Sequence, residues 1–300
     1  MIAPRLPRRE FLSLAALGVT GAALGSLADG CAPHASLRRT GTVSSGAAAR
    51  PATARALRLG VASYSLRNFA RDKAIAMVQA LHTPYINLKS VHLAYELSPA
   101  EIAAARHEVE SAGLTIVGGG TITFDKDTDA DVARYFDYAR AAGMPLIVAT
   151  MDPSILPRVE KFATRYDMKV AIHNHGPEDP HFPSPYEVLK AVRTMDPRMG
   201  LCIDIGHTVR TGTDVVQSIA DAGPRLLDMH AKDLRDLKDV KSQCIVGEGA
   251  MPVAAIFRQL ISMKYTGYVN LEYEIDADDP LPGMRQSFAF LRGVLAGLPG

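Results

Sequence analysis

The chain has 300 residues, of which 47% are hydrophobic and 22% are charged, and its formal net charge is +1. This composition can fill a large core and offers no excess of positive charge for nucleic acid, so we expect a small-molecule partner. The length suits one α/β barrel of about 250 residues with an N-terminal extension. Its cysteines, Cys31, Cys202 and Cys244, are too scattered to indicate a disulfide framework or a zinc knuckle.

Residues 1–31 have the pattern of an export signal. Arg8 and Arg9 precede an uncharged apolar run from Phe11 to Ala28 and resemble the arginine pair of a twin-arginine signal. This pattern predicts a periplasmic or other extracytoplasmic location. Two alternatives stay open: a membrane tether, because the run has about the 18 residues that a span needs, and lipid modification at Cys31.

Residues 32–56 are small, polar and basic, which predicts a flexible tether and leaves 57–300 as the folded domain. From there on, short apolar runs alternate with longer amphipathic ones, as is typical of a parallel sheet built from βα units. Eight such units without a solenoid repeat predict a single (β/α)8 TIM barrel. The predicted strands cover residues 57–63, 85–90, 114–119, 145–150, 169–174, 200–205, 225–230 and 268–273.

The helical segment after the second predicted strand carries start and stop signals. Ser98 and Glu101 have the spacing of a capping box, and Gly113 is a suitable C-cap. The segment "VGGGT" at 117–121 lacks the spacing and the lysine of a phosphate-binding loop. We therefore interpret it as a tight passage from strand to loop.

Polar residues at the carboxyl ends of the strands are the main candidates for a site, because barrel active sites lie there. Side chains alternate along a strand, so only one parity faces the barrel interior. That parity brings two histidines and two carboxylates to comparable depth on four consecutive strands: His173, Asp204, His230 and Glu272. Nitrogen and oxygen donors suit divalent Zn, Mn, Co or Fe, and a cation removes the cost of burying carboxylates. The pattern predicts a divalent-metal site, although any one of these histidines alone would indicate only a polar strand end.

Further candidates lie near the predicted barrel mouth. Glu178 and Lys232 are suitable catalytic groups; the alternatives are a solvated loop glutamate and a lysine paired with Asp233. The sequence has no tryptophan, so Phe124 and Phe182 are considered with Tyr64 as aromatic platforms for a sugar, or else as core residues. The residues that we predict to contact the substrate are His175, Lys89, His92, Tyr64 and Glu248. The structural alternatives are core or rim packing for Tyr64 and, for Glu248, a solvent-facing residue in a Gly-rich turn.

The motifs "HNHG", "CIDIGH", "HAKD", "VGEG" and "LEYE" follow the order and strand positions of a known family. Over about residues 57–296 the chain resembles the xylose isomerase-like barrels of the sugar phosphate isomerase/epimerase superfamily. The resemblance implies a metal-dependent enzyme with a carbohydrate substrate. In the family's epimerases, strands five to eight supply Glu, Asp, His and Glu as ligands, and the histidine after the aspartate, here His207, contacts substrate. The matching ligand positions are His173, Asp204, His230 and Glu272.

The departure from this pattern is His173, which stands where the epimerases have a glutamate that both binds metal and moves a proton. A metal-bound neutral imidazole is a poor base, so we do not expect a symmetric two-glutamate epimerisation. A metal that stabilises an enediolate, with one nearby catalytic group among Glu178, His207, Glu272 and Lys232, still fits. This chemistry serves aldose–ketose isomerisation or β-elimination from a 3-keto-glycoside, and export favours the second. The competing hypothesis is a non-catalytic exported barrel that binds sugar or metal.

Overall fold

Eight parallel strands close into a barrel in a computed structural model that describes residues 57–298. Each strand pairs with the next along the chain, and the last pairs with the first. A two-stranded antiparallel sheet, which the sequence did not predict, precedes the last barrel strand. The strands are β1 (Arg58–Ala62), β2 (Tyr85–Leu88), β3 (Thr115–Phe124), β4 (Leu146–Met151), β5 (Lys169–His173), β6 (Met199–Asp204), β7 (Leu226–Ala231), β8 (Asp233–Leu234), β9 (Gln243–Cys244) and β10 (Tyr268–Leu271). The predicted TIM barrel and its eight strands are confirmed.

Helices cover the outside of the barrel. The capping box on the second helix is confirmed, since Ser98 Oγ accepts a hydrogen bond from Glu101 N and the Glu101 carboxylate accepts one from Ser98 N. Gly113, just past this helix, has a φ of 78°, as a C-cap requires. The helices are α1 (Arg71–Ala80), α2 (Pro99–Ser111), α3 (Asp129–Ala141), α4 (Leu156–Tyr166), α5 (Pro185–Val192), α6 (Ile205–Arg210), α7 (Val215–Ala222), α8 (Val253–Ser262) and α9 (Leu281–Gly297).

The segment 117–121 does not pass from strand to loop, and this prediction was wrong. β3 continues through it as far as Phe124. Its register against β4 shifts between Gly119 and Ile122. Gly120 has a φ of 133°, and a Cβ there would lie 2.0 Å from the Val148 carbonyl oxygen. The glycines therefore allow an irregular strand to pack closely against its neighbour.

The predicted export signal, the tether and Cys31 lie outside the described residues. Within residues 57–298, no helix is both long enough and apolar enough to cross a membrane.

A buried polar cluster lies nearer the amino end of the barrel than the predicted ligands. Asp228 on β7 accepts hydrogen bonds from Asn270 Nδ2 at 2.9 Å and from Asn87 Nδ2 at 3.3 Å. The Oδ1 atoms of both asparagines have no hydrogen-bond partner among the described residues. Burial raises the pKa of Asp228 to about 7, which the nearby hydrogen bonds offset only in part.

We expect Asp228→Asn to stabilise the protein at pH 8. The folded pKa of about 7 exceeds the unfolded value of about 3.9. The folded state therefore binds this proton more tightly, and stability is lost as pH rises from about 4 to 7. The variant has no such charge, and its side-chain carbonyl oxygen is still able to accept a hydrogen bond from Asn270 Nδ2. Calorimetry should show a gain of about 2 kcal/mol at pH 8, or several degrees in Tm, and a smaller gain at pH 5. A lower Tm at both pH values would contradict this account.

Candidate metal centre and substrate groove

The four predicted ligands lie together at the carboxyl end of the barrel. His173 ends β5, Asp204 ends β6, His230 lies on β7, and Glu272 directly follows β10. His230 Nδ1 is 3.1 Å from His173 Nε2 and 3.2 Å from Glu272 Oε2. Asp204 Oδ2 is 3.6 Å from His173 Nε2, and one donor atom from each residue lies within 4.8 Å of the others. All four side chains are buried. We refer to these four residues as the HDHE cluster.

The separations in the HDHE cluster fit a divalent cation. Nitrogen and oxygen ligands lie about 2.0–2.2 Å from zinc, which places neighbouring donor atoms roughly 3–3.5 Å apart. The three measured separations fall at or near this range. The donor set also contains two buried carboxylates that a cation would neutralise. The residues present are therefore able to hold the predicted metal.

Strand register and one asparagine position the cluster. In the parallel ladder Asp204 pairs with His230, and His230 pairs with Asn270, two residues before Glu272. Asn174 faces away from the cluster, as its parity requires, and accepts a hydrogen bond from Asp204 N at 3.1 Å. Its Nδ2 donates to Thr208 Oγ1 at 3.0 Å on α6. These contacts fix the end of β6 relative to β5.

Both cluster carboxylates are held ionised. Burial alone would raise the pKa of Asp204, but the Lys232 ammonium and neighbouring histidines hold it below its usual range. Burial opposes ionisation of Glu272 too, yet His230 and Lys232 lower its pKa. The Lys232 pKa is raised by the surrounding carboxylates in spite of burial. The predicted pair between Lys232 and Asp233 does not form, because the Asp233 carboxylate accepts hydrogen bonds from backbone N–H groups instead.

The pKa values of the two cluster histidines are shifted in opposite directions. Burial lowers the pKa of His173, and the adjacent histidines add to this effect. The pKa of His230 is raised, because Cys202 and Glu272 outweigh the effect of burial. Two imidazole nitrogens 3.1 Å apart accommodate one proton between them. A metal ion would replace that proton, since both nitrogens must be unprotonated to bind it.

Three further groups form a hydrogen-bonded set beside the cluster. Arg210, whose side chain is only 4% exposed, forms an ion pair with Glu178 and donates from Nη1 to His207 Nδ1 at 3.0 Å. The guanidinium is a donor only, so Nδ1 of His207 accepts and Nε2 carries the proton. His175 lies 4.3 Å from His173 between ring centroids and contacts Asp179 at 3.3 Å. His175 and His207 thus lie beside the cluster, and Arg210 holds Glu178, whose side chain is 64% exposed, next to His207.

Lys89 and Tyr64 lie next to each other, and Lys89 is within range of the charges of Glu272 and Glu274. Lys89 Nζ donates to the Thr121 carbonyl at 3.3 Å and lies 5.4 Å from the centroid of the Tyr64 ring. Burial lowers the pKa of Lys89, while Glu272 and Glu274 act in the opposite direction. The carboxylates of Glu272 and Glu274 therefore act on the pKa of Lys89.

Two residues predicted to bind substrate are not brought to the centre. The His92 ring is enclosed in the core, with Nδ1 3.0 Å from Ser63 Oγ and Nε2 3.2 Å from the Leu66 carbonyl. Glu248 pairs with Arg235 at 2.7 Å, and both side chains are exposed. The prediction for His92 was wrong because its ring packs in the core, and Glu248 matches its alternative as a solvent-facing residue. Phe182 is also fully buried and therefore packs in the core.

A groove of about 520 Å³ opens beside His175 and Glu178. Its lining includes four carboxylates, Asp125, Asp152, Glu178 and Asp179, and neither lysine nor arginine. A larger cavity, of about 740 Å³, lies around Asp228 at the amino end of the barrel, away from the HDHE cluster. The groove is therefore the better candidate for substrate.

The comparisons with known proteins agree with this architecture. The family model described as xylose isomerase-like TIM barrel matches residues 75–294. The chain belongs to this family. A search of curated proteins found no match.

Solved structures show the same fold in this family. An uncharacterised protein from Parabacteroides distasonis is 27% identical, with a TM-score of 0.63, over 79% of this chain and 98% of that one. The 3-keto-D-glucoside 4-epimerase from E. coli is 15% identical, with a TM-score of 0.64, over 79% and 99%. The IOLI protein, solved with a bound zinc atom, is 14% identical, with a TM-score of 0.65, over 78% and 98%. These structures share the barrel fold with this chain.

Three residues near the centre of this xylose isomerase-like barrel were not predicted from the sequence. They are Arg210, Glu274, and Asn174, which accepts a hydrogen bond from the backbone of Asp204. Arg210 ends α6, a helix that begins immediately after Asp204. The Asp204 side chain accepts a hydrogen bond from His207 N at 2.8 Å and so starts that helix. An aspartate that caps a helix just after a strand, with arginine nearly two turns further on, was a usable signal.

Proposed function

We propose that this protein is a divalent-metal-dependent enzyme that converts neutral keto-sugars, with β-elimination from a 3-keto-glycoside as the preferred reaction. The observation that supports this proposal is the buried HDHE cluster at the carboxyl end of the barrel, with proton-moving groups beside it. Aldose–ketose isomerisation uses the same enediolate chemistry and is the second candidate reaction.

The proposed chemistry divides among the residues of the centre. When bound, the metal supplies Lewis-acid polarisation of a carbonyl oxygen. Burial alone would raise the pKa of Glu178, but its own backbone N–H and Arg210 lower it. Its carboxylate accepts the proton from the carbon beside the carbonyl. As the C–O bond breaks, the Nε2–H of His207 donates a hydrogen bond to the departing glycosidic oxygen, which takes its proton from water. Arg210 holds both groups in place.

The charges around the centre favour a neutral substrate. The groove is lined by carboxylates and contains neither lysine nor arginine. Arg210 is engaged by Glu178 and His207, and Lys232 contacts three carboxylates. A phosphate or carboxylate on a sugar in this groove would need cationic donors that the groove does not offer. Lys89, a further cation near the centre, does not line the groove.

We expect purified, metal-loaded protein to convert a 3-keto-glucoside and to discriminate against phosphorylated sugars by at least about tenfold in kcat/KM. Product analysis by NMR of a panel with 3-keto-glucoside, free ketoses and ketose phosphates tests this. If only free ketoses turn over, the elimination hypothesis fails and isomerisation remains. If phosphorylated sugars turn over as fast as neutral ones, the inference that the groove favours a neutral substrate is wrong.

The competing hypothesis is a barrel that binds metal or sugar without catalysis, and the loss of the strand-five glutamate favours it. The proton-moving groups beside the cluster favour an enzyme. A binding protein would retain metal and show no turnover on any sugar of the panel. We further propose export, which rests on Arg8, Arg9 and the apolar run alone. Cell fractionation tests it, and a protein found only in the cytoplasm would exclude it.

A further inference from the structure

Lys232 places an ammonium group directly on the HDHE cluster. Its Nζ lies 3.0 Å from Asp204 Oδ2 and 2.9 Å from Glu272 Oε2. A third carboxylate outside the cluster, Glu274, lies closer still, at 2.6 Å. The Lys232 side chain is only 4% exposed, whereas Glu274 is 34% exposed. Lys232 therefore links two cluster carboxylates to an additional one.

The ammonium contacts the same oxygen atoms that face the cluster histidines. Asp204 Oδ2 is the atom 3.6 Å from His173, and Glu272 Oε2 is the atom 3.2 Å from His230. A carboxylate oxygen has two lone pairs and is able to accept from an ammonium while it binds a metal. Two cations on one oxygen nevertheless repel each other, strongly so in a buried site. Lys232 must therefore weaken metal binding unless another negative charge compensates.

Glu274 supplies that compensation. Asp204, Glu272 and Glu274 carry three negative charges and Lys232 one positive charge, so with neutral histidines the group has a net charge of −2. A divalent cation neutralises this charge. Without Lys232 the net charge would be −3, and without Glu274 it would be −1.

The fold fixes Lys232 in this position. Its stem passes over Gly206, where a Cβ would lie 2.6 Å from Lys232 Cγ and 2.7 Å from Cδ. Only glycine leaves room for the stem. The ammonium is thus held on the cluster by packing from α6 as well as by its three ion pairs.

We propose that Lys232 and Glu274 form a charge-balancing pair that sets the affinity of the HDHE cluster for a divalent ion. Lys232 is then a positioning residue that acts through Asp204 and Glu272, and Glu274 offsets its charge. This inference rests on the proposed function, because it requires that the cluster binds metal. It predicts that removing the charge of Lys232 raises the affinity of the cluster for a divalent ion, and that removing the charge of Glu274 lowers it.

The test is a titration of metal-stripped protein with Mn²⁺, with free Mn²⁺ followed by electron paramagnetic resonance. We expect Lys232→Met to bind Mn²⁺ at least tenfold more tightly and Glu274→Gln at least tenfold more weakly. The double variant should lie within about threefold of the wild type, because the two charges cancel. Lys161→Met and Glu110→Gln are matched controls in exposed ion pairs and should leave the affinity unchanged.

The outcomes separate this inference from the proposed function. Weaker binding in both single variants would indicate a purely structural pair and overturn the inference, as would unchanged affinity in both. Wild-type protein that binds no Mn²⁺ would instead overturn the proposed function. If Lys232→Met does not fold, as judged by circular dichroism, Lys232→Gln replaces it. Glu274→Gln, at a partly exposed position, tests the inference by itself.

Discussion

Glu272→Gln is expected to abolish retention of a divalent metal and to lower kcat/KM on a 3-keto-glucoside by at least about a thousandfold. The substitution keeps the size of the side chain but removes the negative charge that faces His230 at 3.2 Å and Lys232 at 2.9 Å. A neutral amide is a poor ligand for a divalent ion, and it leaves Lys232 close to the remaining ligands. Metal content by inductively coupled plasma mass spectrometry and steady-state kinetics measure the two effects.

Glu110→Gln is the matched control for this experiment. Glu110 pairs with Arg106 on the exposed face of α2, and both side chains are more than 40% exposed. Metal content and turnover of this variant should equal those of the wild type. If Glu272→Gln keeps both metal and turnover, Glu272 is not a ligand and the proposed centre is wrong.

Arg210→Met is expected to separate catalysis from metal binding. Arg210 holds Glu178 and Nδ1 of His207 and forms no hydrogen bond with the HDHE cluster. Its loss should therefore leave metal content within about twofold of the wild type. Because misplaced proton-transfer groups typically cost about a hundredfold, kcat should fall by roughly that factor. The measurement is kcat at saturating substrate together with metal content of the same preparation.

The control for this variant is Arg158→Met, which removes an arginine paired with Asp127 and Asp129 near the surface. This control variant should change neither kcat nor metal content. Loss of metal along with turnover in Arg210→Met would show that Arg210 supports the cluster itself. In that case the assignment of Glu178 as the base and of His207 as a hydrogen-bond donor to the leaving oxygen would lose its main structural support.

The HDHE cluster was predictable from the sequence because strand periodicity is strict. Once the apolar runs define eight strands, residues two apart share a face, and the ends of consecutive strands meet at one end of the barrel. His173, Asp204 and His230 needed no further information. The arrangement of β3 was less predictable, since its glycines allow either a loop or the irregular strand that is observed.

Contacts between side chains were harder to predict because they depend on loop and helix geometry. Lys232 has a neighbouring carboxylate in Asp233, yet backbone N–H groups occupy that carboxylate and Lys232 turns to the cluster. His92 follows a strand end but faces the core. Arg210 reaches the centre only because α6 begins at Asp204.

The most direct test of the account is exchange of substrate hydrogen with solvent. Metal-loaded and metal-stripped protein are each incubated with a 3-keto-glucoside in D₂O, and the hydrogen beside the carbonyl is followed by proton NMR. The account predicts that the metal-loaded protein removes this hydrogen and releases the glycosidic alcohol, while the stripped protein does so at no more than the uncatalysed rate. Equal rates with and without metal, or no loss of this hydrogen in either sample, would contradict it.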